Sequence, residues 1–148
     1  MTDHLDSHAP ASDLPPVRTP ADLDRLWRRL MGDLGFAAPQ IWMLLLRDGR
    51  PIRPITLDQV PVSPTSDAAQ RLGHVVEAVQ GLDAEPLECA FLFARPGPAE
   101  RTPSDLAWAR LLAVHSPWPV HLANDHVLTV VAADDLAPSA EDPLGRSA

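Results

Sequence analysis

Residues 90–112 read AFLFARPGPAERTPSDLAWARLL, and the order of their chemistry decides how the rest of the chain is read. The apolar run predicts a strand over 88–94, buried on both faces. Pro96, Gly97 and Pro98 then interrupt any ladder. A helix is expected over 104–114, with Ser104 as its N-cap and Asp105 as the acid of its first turn. Strand, tight turn and helix start in this order form a layout in which enzymes hold metals or phosphates. The groups that would do so are missing. RPGPAER has a single glycine and is no phosphate-cradling loop. Ser104 as a nucleophile would need a base such as His115 or His121, for which the spacing gives no argument. Arg95 and Arg101 flank a helix start, where an anion is a possible ligand, but solvent-exposed arginines are the simpler expectation.

On the N-terminal side, TPADLDRLWRRLMGDLG predicts a helix. Thr19 suits the N-cap, Pro20 the first position, and Asp22 and Asp24 the first turn. Leu23, Leu26, Trp27, Leu30 and Leu34 form its apolar stripe, and Gly35 is expected to end it. Ile41 to Leu46 is a continuous apolar run, the pattern of a strand buried on both faces. Asp48-Gly49 signals a hairpin, and Pro51 and Pro54 assign the return segment to a sheet edge. A second helix opens at Thr65 or Ser66, buries Ala69, Leu72, Val75, Val76 and Val79, and stops at Gly81. His74 lies beside that face, expected to be partly buried and satisfied. Beyond the quoted stretch, PVHLAND and HVLTVVAADDL predict a closing pair of strands turning at Asn124-Asp125.

The order α–β–β–α–β–α–β–β implies a single α/β domain of three-layer type, a mixed sheet flanked by helices. Polar, aperiodic ends give tails at 1–18 and 137–148, with the folded domain at 19–136. The formal charge of −8 opposes a nucleic-acid role, because the compact basic group Arg25, Arg28 and Arg29 shares its helix with Asp22 and Asp24, as an ion-paired solvated face does. Cys89 is the sole cysteine, so no internal disulfide can form, and its apolar surroundings predict an inert buried thiol. No secretory signal or membrane-length apolar run is present, which predicts a cytoplasmic protein without a membrane partner.

Several phrases resemble the JAB/JAMM metallopeptidase fold, in particular its bacterial RadC-like branch, from about Ile41 to Leu136. WMLLLRDGRPI is similar to the family's first strand and hairpin, RTPSDLAWARLL to its turn and helix start, and WPVHLANDHVLTVV to its closing strand pair. The resemblance implies a JAB-like sheet with the cytidine-deaminase-like order of elements. In that family two histidines and an aspartate bind zinc, and a glutamate activates the bound water. ARPGP occupies the place of His-x-His-Pro-Ser-Gly, which puts Phe93 and Arg95 where the histidines stand. The aspartate position falls on Ala107, or on Asp105 if Thr102-x-x-Asp105 is aligned instead. Phe93 has no lone pair and a guanidinium cannot ligate zinc, whereas a catalytic zinc requires three protein ligands. No glutamate lies in Ile41 to Leu46.

The resemblance therefore implies a degenerate, non-catalytic member without a cofactor, acting as a protein-interaction or regulatory module toward a protein partner or a second copy. Arg95, Pro96, Pro98, Arg101 and Trp118 form the candidate interaction surface, and Trp108 is expected in the core. The alternative is a metal-dependent hydrolase whose zinc ligands have moved to His115, His121, Asp125 and His126, four metal-capable residues within twelve positions.

Overall fold

A computed structural model of the chain describes residues 14–81 and 87–136. The elements are α1 (Pro20–Met31), β1 (Gln40–Arg47), β2 (Arg50–Asp58), α2 (Ser66–Gln80), β3 (Glu88–Ala94), α3 (Pro103–Ala113), β4 (His121–Ala123), β5 (Leu128–Val130) and a single turn, α4 (Ala133–Leu136). The expected order of helices and strands is present, with α4 added at its end.

The strands form one five-stranded mixed sheet in the order β2-β1-β3-β4-β5. Only β3 and β4 run parallel; the other neighbours are antiparallel. β1 and β3 are interior strands, and their side chains divide between two cores. Ile41, Met43, Leu45, Cys89, Phe91 and Phe93 pack under α2 and α3, while Leu44, Leu46, Ala90, Leu92 and Ala94 pack under α1. Helices on both faces make the domain three layers deep, and the two unbroken apolar runs exist because each strand must feed both layers.

The β1–β2 hairpin turns on Asp48 and Gly49, whose φ values of 52° and 78° are both positive, as a two-residue type I′ turn requires. A Cβ on Gly49 would lie 2.6 Å from the Val17 carbonyl oxygen, so glycine is demanded by the close approach as well as by the turn. The pairing slips between Leu45 and Leu46, leaving Ile52 as a bulge residue. Pro51 and Pro54 are accommodated because β2 is an edge strand.

Thr19 and Asp22 close a reciprocal capping box at the start of α1, with Pro20 at the first position. Leu23, Leu26 and Trp27 are buried against the sheet. Each such side chain contributes about 1.5–3 kcal/mol, whereas the Arg25–Asp22 pair on the outer side is solvent-screened and adds little. Burial therefore docks the helix. It ends at Met31, earlier than Gly35, because Gly32 adopts a φ of 62° and its N–H returns to the Arg28 carbonyl. Leu34 thus lies outside the helix, half-buried at the edge of the α1-side core.

Other expectations need correcting. Leu14 and Val17, assigned to a disordered tail, are buried in the α1-side core, and the Val17 N–H donates to the Gly49 carbonyl at 2.7 Å. The folded part therefore includes Leu14 and Val17, ahead of the expected start at residue 19. The remainder of that tail and the tail at 137–148 lie outside the described residues. Helix α2 starts after the Thr65 cap as expected, but it buries Ala68 in place of Ala69, Val75 is only partly covered, and His74 is exposed.

Candidate functional site

The site to be tested lies where the C-terminal end of β3 meets the start of α3. The Arg95 N–H extends the β3–β4 ladder by donating to the Ala123 carbonyl at 3.0 Å. Its side chain then turns inward and is 7% exposed. Nε and Nη2 form a forked ion pair with Asp105, at 2.7 Å to Oδ1 and 2.8 Å to Oδ2. Nη1 donates to the carbonyls of Pro96 and Pro98, both at 3.1 Å, and Nη2 also donates to that of Glu100 at 2.8 Å. A guanidinium has five N–H donors, and these five bonds employ all of them. The loop over 95–101 is wound around one cation.

Asp105 ties that cation to the helix. Its Oδ2 accepts the Thr102 N–H at 2.9 Å, while its own N–H donates to Thr102 Oγ1 at 3.0 Å. The cap of α3 is thus Thr102, and Pro103, Ser104 and Asp105 are its first three residues. Ser104, expected as the cap, instead meets Ser63 through its hydroxyl. Burial pushes the Asp105 carboxyl upward in pKa, but the Arg95 pair and the Thr102 bonds outweigh it and hold it below the usual value.

The β4–β5 turn supports the loop from behind. Asn124 receives the N–H groups of His126 and Val127 on its side-chain oxygen and donates to the Ala99 carbonyl. Asp125 accepts the N–H of Gly97 at 2.8 Å and that of Phe36 at 3.0 Å, and these bonds lower its pKa. Gly97 has a φ of 114°, and a Cβ there would sit 3.1 Å from Arg95 Nη1. The positive φ favours glycine at 97, and any side chain there would also crowd the guanidinium.

Phe93 and Arg95, two residues apart, both turn towards α3 but do different work there. Phe93 is buried and stacks on Trp108 at 5.5 Å between ring centroids. Trp108 is core, as expected, with its indole N–H directed to the carbonyls of Pro61 and Val62. Ala107 is half-buried and brings no ligand atom. Of the four positions assigned to the former metal site, the fold joins Arg95 to Asp105 and leaves Phe93 and Ala107 in packing roles.

The candidate interaction surface loses one member. Arg95 is interior, because its donors are satisfied only by turning in. Pro96 is half-buried, while Pro98 and Arg101 are exposed. Arg101 pairs with Asp135 at 3.0 Å and donates to the Val130 carbonyl. Trp118 is half-buried against the α1-side core, its indole N–H on Glu88 Oε1 at 2.9 Å.

His115, His121, Asp125 and His126 do not converge. His115 borders a cleft with His74 and Glu77 on the α2 side. His121 is wholly buried on the opposite, α1 side, its Nε2 3.3 Å from Asp24 Oδ1. His126 is exposed on the turn whose neighbour Asp125 is already engaged. Among the described residues no group of three or more His, Cys, Asp or Glu side chains is arranged to hold a metal ion. Cys89 is buried, and burial pushes its thiol up to about 11, which suits a packing role rather than a nucleophile. Among the described residues no helix is long and apolar enough to cross a membrane.

The Asp24–His121 approach was missed from sequence, since nothing local links the two positions. The Asp105–Thr102 box was partly legible in its i, i+3 spacing. No family model matches the chain, no curated protein matches it, and no solved structure matches it.

Proposed function

We propose that the chain is a non-catalytic domain of JAB/RadC-like type that works as a protein-interaction or regulatory module. Its order of elements, and the position of the β3–α3 loop at the end of an interior strand, support that reading. The observation that carries it is the Arg95 guanidinium at the centre of the loop, held by Asp105 and the carbonyls of Pro96, Pro98 and Glu100. A divalent cation would be repelled by the fixed charge already there, and the guanidinium has no N–H left over to polarise a substrate carbonyl. The interior of the loop is filled, so recognition falls to its exterior: Pro96, Pro98 and Arg101, with Trp118 a separate anchor. Arginine and aromatic side chains at such positions are the usual anchors of protein interfaces.

The test combines metal analysis with an activity assay on the purified chain. The expected result is less than one-tenth equivalent of zinc and no cleavage of peptide or isopeptide substrates that EDTA suppresses. Stoichiometric zinc together with EDTA-sensitive cleavage rejects the proposal.

A further inference from the structure

The core between α1 and the sheet contains a polar group that packing alone does not explain. Among the described residues, the buried side-chain nitrogens without a hydrogen-bond partner are the Trp27 indole nitrogen and both ring nitrogens of His121. His121 is 0% exposed. Its cross-strand neighbours are the apolar Leu92 on β3 and Val130 on β5, and the Pro119 carbonyl faces it from the preceding loop. The charged groups facing it come from α1. Asp24 Oδ1 lies 3.3 Å from Nε2, while Asp24 Oδ2 is occupied by Arg28 Nε at 2.8 Å. Arg28 also reaches the Leu128 carbonyl at 2.9 Å, which secures the helix to β5.

We propose that His121 is an acid-sensitive latch: its protonation releases α1 from the sheet while the strands remain folded. The neutral ring is tolerated as an apolar filler. The imidazolium's two N–H donors face Asp24 and the neutral Pro119 carbonyl, so its one counter-ion is a carboxylate already shared with Arg28. A charge balanced only by a shared carboxylate in a dry core is costly unless water reaches it. Water is near, because a cleft of about 360 Å³ bounded by Pro20, Ala21, Asp24, Arg25 and Val130 runs along the seam between α1 and β5. Lifting α1 along that seam hydrates the ring, and Gly32 and Gly35 at the end of the helix allow the chain to swing. The movement uncovers Leu44, Leu46, Leu92 and Leu128.

The direction with pH follows from burial, which lowers the pKa of His121 more than Asp24 raises it. A group depressed in the folded state gives stability that is present above its ordinary value of 6.5 and lost as pH falls through the folded value. Asp24 is also depressed, but its loss begins only below 3.8, in a separate range.

Hydrogen exchange followed by mass spectrometry from pH 7.5 to 4.5, corrected for intrinsic rates, tests the latch. Peptides from α1 are expected to lose protection at least tenfold while those from β1 and β3 keep theirs. Asp24→Asn removes the counter-ion, makes the closed imidazolium costlier and moves the α1 transition to higher pH; His121→Phe abolishes it. Should His121→Phe fold poorly, an NMR titration of His121 in the unaltered chain decides. A midpoint below 6.5 that coincides with the α1 transition supports the latch, and a midpoint at or above 6.5 overturns it. Equal loss of protection in α1, β1 and β3, or pH-independent protection of α1, overturns it as well.

Discussion

Arg95 illustrates how a residue's setting can reverse the expectation drawn from its type. An arginine beside a Pro/Gly turn reads as surface, because charged side chains are seldom fully buried unless paired. Its partner is ten residues on, at the third position of a different element, and pairing across a loop leaves no periodic trace. What was legible was negative: neither a phenyl ring nor a guanidinium at 93 and 95 can ligate a metal. Removing the cation while retaining Asp105 leaves an uncompensated buried carboxylate. Arg95→Met is expected to lose about 3–5 kcal/mol of stability in urea unfolding. Arg95→Lys recovers only part of that loss, since an ammonium has three donors and no planar fork. Equal stability of the methionine variant and the native chain would show that the pair is not structural.

The elements themselves were largely readable, because their signals are local. Unbroken apolar runs identified β1 and β3, Asp48-Gly49 identified the hairpin, and two prolines marked β2 as an edge. Errors fell at helix ends, where neighbouring residues compete for one role. Gly35 was expected as the stop, with Leu34 in the stripe, yet Gly32 is the first glycine to go left-handed and it ends the helix. Ser104 was expected as the cap of α3. Thr102 won because Pro103 fits the first helical position, having no N–H to satisfy, and Asp105 then falls where it can answer the cap. Thr102→Ala is therefore expected to cost about 1 kcal/mol in thermal denaturation, and Ser104→Ala no more than a few tenths, as at an ordinary surface position. A larger effect at Ser104 than at Thr102 would return the cap to the serine.

Across the whole molecule, the class of fold followed from the alternation of elements, but the strand order did not. Periodicity does not say that β3 runs antiparallel to β1 and parallel to β4. It also does not reveal that His121 turns under α1 while His115 faces α2, which is why the two histidines shared one hypothetical site in the sequence. The boundary at residue 19 failed for a related reason. Leu14 and Val17 are too few and too widely set among prolines to register as an element, yet each fills a place in the core against the hairpin. Leu14→Ala is expected to lower stability by about 2 kcal/mol, and a chain starting at Thr19 to unfold at a lower urea concentration than the full chain. Coincident unfolding curves would place the boundary back at residue 19.

A loop built around a guanidinium differs in one more respect from a loop built around a metal ion. Its positive centre is covalently tethered and emerges from the ribosome with the chain. It needs no loading step, cannot be traded for a competing ion, and has no dissociation constant. The segment over 95–101 can thus assume its shape as soon as β3 and α3 meet, at any level of metal nutrition.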